Sequence, residues 1–93
     1  MSSLLNKIFI LSSLLLILSI NSFAQEKYMR AYEKEGDYQM EQGEYETALK
    51  QYLTARKFFV TPLRIFYKCG EACRMMKDYD KAEYYYQKVI TEN

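Results

Sequence analysis

The side chains that could do chemistry here are few: two thiols, Cys69 and Cys73, a tyrosine run from Tyr84 to Tyr86, and scattered carboxylates and cations. The 93-residue chain has no His and no Trp. Without His, the commonest general base and the commonest metal ligand are both missing. Two cysteines alone are too few for a structural zinc site. No nucleophile–base pair, phosphate-binding loop or metal-ligand spacing stands out. The chain is therefore read as a non-enzyme, with no cofactor and no metal expected. The two cysteines are four residues apart on a predicted helix, where a disulfide would need distortion, because side chains at that spacing run parallel. Buried free thiols are expected. In an oxidising compartment a disulfide is the alternative, followed by an intermolecular or redox role. Tyr84, Tyr85 and Tyr86 point about 100° apart on a helix, so they do not form one stacking platform for bases or sugars. Tyr86 is expected in the core, with Tyr85 and Tyr84 serving an inter-repeat contact and the outer face.

Charge is nearly balanced, at a formal +1. No strong field favours nucleic acid or an anionic membrane, and no nucleic-acid partner is expected. Glu33, Glu35, Asp37, Glu41, Glu44 and Glu46 make one stretch acidic. Lys50, Arg56, Lys57, Arg64, Lys68, Arg74 and Lys77 make the next basic. The plain reading is two solvated faces of stacked helices.

Met1 to Ala24 has the anatomy of a secretory signal peptide. Lys7 gives a short positive region, Ile8 to Ile20 is apolar apart from serines, and Ser22-Phe23-Ala24 offers small residues at a cleavage site before Gln25. The apolar run is short for a transmembrane helix, which needs about 20 residues. An uncleaved N-terminal anchor is the alternative, and the membrane enters only through it. No Cys follows to accept a lipid. Residues 1–24 are thus set apart from the mature region 25–93, which is expected in the periplasm or outer envelope, or secreted.

The mature region reads as helices. Glu26 to Gln42 is a helical pattern that tolerates Gly36 through close packing and stops at Gly43. Tyr45 to about Phe59 follows, with Tyr45, Ala48, Leu49, Tyr52 and Ala55 as its apolar stripe. Thr61 can cap a third helix and Pro62 suits its first turn. That helix runs to about Met76, with Leu63, Phe66, Gly70 and Cys73 on one face. Asp78 caps a fourth, from Tyr79 to about Ile90, with Ala82, Tyr86, Val89 and Ile90 inward. No strand signal exceeds a few residues.

Two copies of one pattern organise these helices. Gly36, Tyr45, Ala48, Tyr52 and Ala55 return as Gly70, Tyr79, Ala82, Tyr86 and Val89, each pair 34 positions apart. The period and residue types resemble the tetratricopeptide repeat (TPR), a helix–turn–helix unit of that length. Tyr32 and Phe66 match its first aromatic position, and the other pairs match in order. Repeat one would span 29–62 and repeat two 63–93, three residues short of a full unit. Glu35 and Gln39 depart from the apolar residues the family carries, where repeat two has Cys69 and Cys73. Lys77 replaces the turn glycine. The resemblance implies an all-α fold of two TPR hairpins, four antiparallel helices beginning an α-solenoid. Small residues at Gly36 and Ala48 would let backbones approach, with aromatics filling the wedge between hairpins. A signal followed by Tyr-rich repeats, with Cys69 to Val89, is also similar to the N-terminal region of OmpA-like envelope proteins of Bacteroidota.

TPR arrays bind with the inner face of each first helix. By resemblance that face is Arg30, Glu33, Asp37, Met40 and Glu41, then Arg64, Tyr67, Glu71, Arg74 and Met75. A solvated surface, or one covered by other parts of the protein, is the alternative. The asparagines of a chaperone-type carboxylate clamp are missing between Asn21 and Asn93. The implied role is an exported scaffold for a protein or peptide partner. The chain is expected to be the start of a longer protein, or to stack its last helix on further repeats or another chain. The alternative is a spacer in an OmpA-like peptidoglycan-anchored protein.

Overall fold

The computed structural model describes residues 2–57 and 61–92; Met1, Phe58, Phe59, Val60 and Asn93 lie outside the described residues. Four helices and no strands make up the described residues: α1 (Ser2–Glu41), α2 (Tyr45–Ala55), α3 (Leu63–Met75) and α4 (Tyr79–Glu92). The fold is all-α. Each helix packs on the next, giving two hairpins, α1–α2 and α3–α4, joined through α2 and α3.

The first helix is longer than the expected Glu26 to Gln42. It runs from Ser2 without a break, and neither Pro nor Gly stands before Gly36 to stop it. Its N-terminal part is apolar and fully exposed, with a mean hydropathy of 2.0. By length and composition it is able to cross a membrane, which fits a signal sequence or a span. Only Met29, Glu33 and Gly36 of α1 are buried.

Both hairpins turn in the same way. At the first, Gly43 adopts φ +77°, its N–H bonds to Met40 O and the Glu44 N–H to Gln39 O. At the second, Lys77 adopts φ +63°, its N–H bonds to Arg74 O and the Asp78 N–H to Cys73 O. This is the paired closure that satisfies the last helical carbonyls through one left-handed residue. Asp78 Oδ1 accepts from the Lys81 N–H at 3.3 Å and caps α4, as its type predicts. Thr61 does not cap α3. Its hydroxyl turns back to Arg56 O at 2.9 Å, and Pro62 with ψ 147° takes the cap position without a side-chain bond. Helix α2 closes at Ala55, short of the expected Phe59, with a turn at Arg56 and Lys57.

The core is Met29, Ala48, Tyr52, Ala55, Ile65, Cys69, Ala72, Cys73, Ala82 and Tyr85. The inward assignments on α3 and α4 hold in part, with half-buried Phe66 and Tyr86 packed against this core. Ile65, Cys69 and Ala72 are buried with Gly70 and Cys73, while Leu63 and Phe66 are half-buried. Tyr85 is buried and Tyr86 only partly so. Ile90 is 67% exposed. Ile90 is exposed because α4 packs chiefly on α3 and leaves that face uncovered among the described residues.

The glycines reveal what the repeat encodes. A Cβ on Gly36 would lie 2.5 Å from Cε1 of Tyr52, and one on Gly70 at 2.5 Å from Cε1 of Tyr86. Each glycine lies under a tyrosine ring of its own hairpin, which leaves no room for a side chain.

Candidate functional site

The candidate face is built from α1 and α3, whose backbones are bridged by long side chains. Glu33 is 8% exposed, and its carboxylate is grasped from α3. Arg64 donates Nε–H to Oε2 at 2.8 Å and Nη2–H to Oε1 at 2.9 Å, a two-pronged pair. Lys68 donates to Glu33 Oε2 and to Asp37 Oδ2, both at 2.8 Å. Asp37 Oδ1 also accepts the Tyr52 hydroxyl at 2.7 Å. One connected set thus joins α1, α2 and α3. Lys68 and Glu33 are charges that a half-buried site tolerates only because each is paired and hydrogen-bonded.

Its electrostatics follow from those bonds. The Arg64 hydrogen bonds pull the Glu33 carboxyl down to about 2; burial works against them and Lys68 reinforces them. Arg64 is raised in turn by Glu33. Burial alone would lower Lys68, but its bonds to Asp37 and Glu33 outweigh that and raise it. Burial pushes the Tyr52 hydroxyl up, and its bond to Asp37 adds to the rise.

The second hairpin carries the same pair in the same register. The Tyr86 hydroxyl donates to Glu71 Oε1, as that of Tyr52 does to Asp37. Here the cation comes from the same helix, Arg74 donating Nη2–H to Glu71 Oε2 at 2.9 Å. Arg74, then Tyr86, lower the Glu71 carboxyl, and Glu71 raises Arg74. The Tyr67 and Tyr86 rings stand 5.9 Å apart, tilted by 43°, with Tyr67 half exposed.

The ten sequence-predicted residues therefore fall into three groups. Glu33, Asp37 and Arg64 meet in the first set, and Tyr67, Glu71 and Arg74 meet around Tyr86. The remaining four are not drawn in. Arg30 pairs with Glu26 at 2.7 Å on the surface. Met40 packs against the core, Glu41 is exposed and Met75 is 40% exposed. Sequence reasoning missed Lys68 and the two tyrosine hydroxyls. One signal for the hydroxyls was there: an acid stands 15 residues before the tyrosine in both copies. Lys68 carried no such mark, because its acids lie 31 and 35 residues away.

The Glu33 and Glu71 carboxylates are held low by the cations they are paired with, and the exposed apolar groups of the face are Tyr67 and Met75. Among the described residues no group of three or more His, Cys, Asp or Glu could hold a metal ion. Cys69 and Cys73 are free and fully buried. Burial pushes the Cys69 thiol up to about 12 and raises Cys73, which leaves both unreactive. Of the three consecutive tyrosines, Tyr84 is exposed, Tyr85 buried and Tyr86 half-buried, so they present no common platform. Comparison of the chain with protein-family models, with curated proteins and with solved structures finds no match in any of the three.

Proposed function

We propose that this chain is an exported helical scaffold whose two hairpins are tetratricopeptide repeats and whose α1–α3 face holds a protein or peptide in the cell envelope. The observation that carries the reading is the repetition of one internal arrangement at an interval of 34 residues. Gly36, Asp37 and Tyr52 recur as Gly70, Glu71 and Tyr86, ring over glycine and hydroxyl on acid. The exposed apolar start of α1 supports export or membrane attachment. Tyr67, Arg74 and Met75 supply the aromatic, cationic and adaptable side chains that binding surfaces use.

A second reading, a spacer within an OmpA-like envelope protein, has one observation in its favour. The charges on the face are already paired with one another, so they leave few polar groups for a ligand. A photo-reactive amino acid placed in cells at Tyr67, and separately at Tyr84 on the outer face, distinguishes the two. The scaffold reading expects one discrete cross-linked protein from Tyr67 and none from Tyr84. Silence at both positions favours the spacer. Protease accessibility in intact cells, spheroplasts and lysate tests export in the same experiment.

A further inference from the structure

Hairpin two carries a counterpart of the seat that α3 occupies on hairpin one. The seat on hairpin one is Asp37 with the Tyr52 hydroxyl, flanked by Glu33, and Arg64 and Lys68 enter it from one helix, four residues apart. At the interval of 34, Asp37 becomes Glu71, Tyr52 becomes Tyr86 and Glu33 becomes Tyr67. Tyr86 is bonded to Glu71 as Tyr52 is to Asp37, so half of the seat is already assembled. No helix of the described residues enters it. Glu71 takes its cation from Arg74, which stands where hairpin one has Met40. Arg74 thus fills in for the incoming lysine.

We infer that the Glu71–Tyr86–Tyr67 end of hairpin two docks a basic amphipathic helix of another polypeptide, one carrying Arg or Lys at two positions four residues apart with an apolar residue after each. The pattern is that of α3 itself, where Ile65 follows Arg64 and Cys69 follows Lys68, both apolar residues fully buried. The lysine of the incoming helix bonds Glu71 and displaces Arg74. Its other cation lies over the half-exposed Tyr67 ring, which replaces the Glu33 carboxylate. A second copy of this chain does not fit. Its α1 has Arg30 and Lys34 at the two basic positions, but Glu35 stands where Cys69 is buried. Docking would bury that carboxylate with the Gln39 amide of its own helix, rather than a cation, bonded to it. The seat is also more polar than its model on hairpin one. Leu49 and Leu53, which pack against the core, become the exposed Glu83 and Gln87. Docking therefore relies on charge, is reversible and weakens with salt.

The surface deepens the scaffold reading and rests on it. The probe is a synthetic peptide of residues 61–77, titrated into the full chain in neutral detergent and followed by fluorescence anisotropy. Saturable binding is expected, weakened about fivefold by Glu71→Gln in the chain, or by Arg64→Ala with Lys68→Ala in the peptide. Arg74→Met, which frees Glu71, is expected to tighten binding, a gain that misfolding does not mimic. Absence of binding, or binding indifferent to Glu71→Gln, overturns the inference. So does an equal loss with Asp37→Asn, which would mean that the peptide replaces α3 in its own hairpin. If cross-links from Tyr67 persist while the peptide fails to bind, the docking surface falls and the scaffold reading stands.

Discussion

Gly36 and Gly70 meet the same obstacle but not the same surroundings. A Cβ at either would lie 2.5 Å from a tyrosine ring atom. Tyr52 is 2% exposed and pinned to Asp37 through its hydroxyl, so its ring has nowhere to go. Tyr86 is half-buried, and its ring can swing outward by giving up Glu71. Overpacking costs about 1–3 kcal/mol, and alanine regains about 1 kcal/mol of helix propensity. Gly36→Ala is expected to destabilise by about 1–2 kcal/mol and Gly70→Ala by less than about 1 kcal/mol in urea unfolding. An equal cost at both would show that the two rings are equally fixed. The glycines themselves were legible in the sequence, as small residues at a repeated position. What fills each was not: a ring and a second helix both explain a glycine, and only the tertiary placement of Tyr52 decides between them.

At the scale of the element, the two hairpin turns share one geometry and differ in one residue. Gly43 and Lys77 both hold a left-handed backbone, at φ +77° and +63°. Glycine adopts it without steric cost, whereas a side chain costs roughly 1 kcal/mol. No atom lies within 4 Å of where a Cβ on Gly43 would be, so substitution there tests conformation alone. Lys77→Gly is expected to raise stability by about 1 kcal/mol and Gly43→Ala to lower it by about the same, read from thermal melts. A loss on Lys77→Gly would mean that the Lys77 side chain contributes more than its backbone costs. Local signals such as Gly43 and Asp78 were readable because a helix end is decided within a few residues. The exposure of Ile90 was not, because periodicity identifies an apolar face without saying whether a neighbour covers it. Thr61 was misassigned because its hydroxyl donates to the Arg56 carbonyl and no side-chain bond caps α3.

At the scale of the molecule, one ion set fastens hairpin two to hairpin one, and its pH dependence has a definite sign. Folding lowers the Glu33 carboxyl from an ordinary 4.5 to about 2. A depressed carboxyl stabilises the fold above its unfolded value and loses that contribution as protonation proceeds. The stabilisation is therefore complete above pH 4.5 and falls away as the pH drops toward 2. At about 1.4 kcal/mol per pH unit the shift corresponds to at most about 3.5 kcal/mol, and the half-exposed Arg64 partner reduces it. Acid unfolding is expected to lose this increment in the wild type and not in Glu33→Gln, a difference that circular dichroism between pH 5 and pH 2 would resolve. This junction was the least legible part of the chain. The acidic and basic runs were visible as runs, and solvated faces were the natural reading. That Glu33 is buried while Arg64 is half-exposed depends on how α3 lies across α1.

That the repeated unit is joined to its copy through Glu33 is the central claim, and a double-mutant cycle tests it most directly. Glu33→Gln, Arg64→Met and their combination would be unfolded by urea at pH 7. The expected coupling between the two positions is about 1–2 kcal/mol, with each single variant less stable than the wild type. A coupling within about 0.3 kcal/mol of zero would contradict it, and would leave α2 and α3 packing alone to hold the hairpins together.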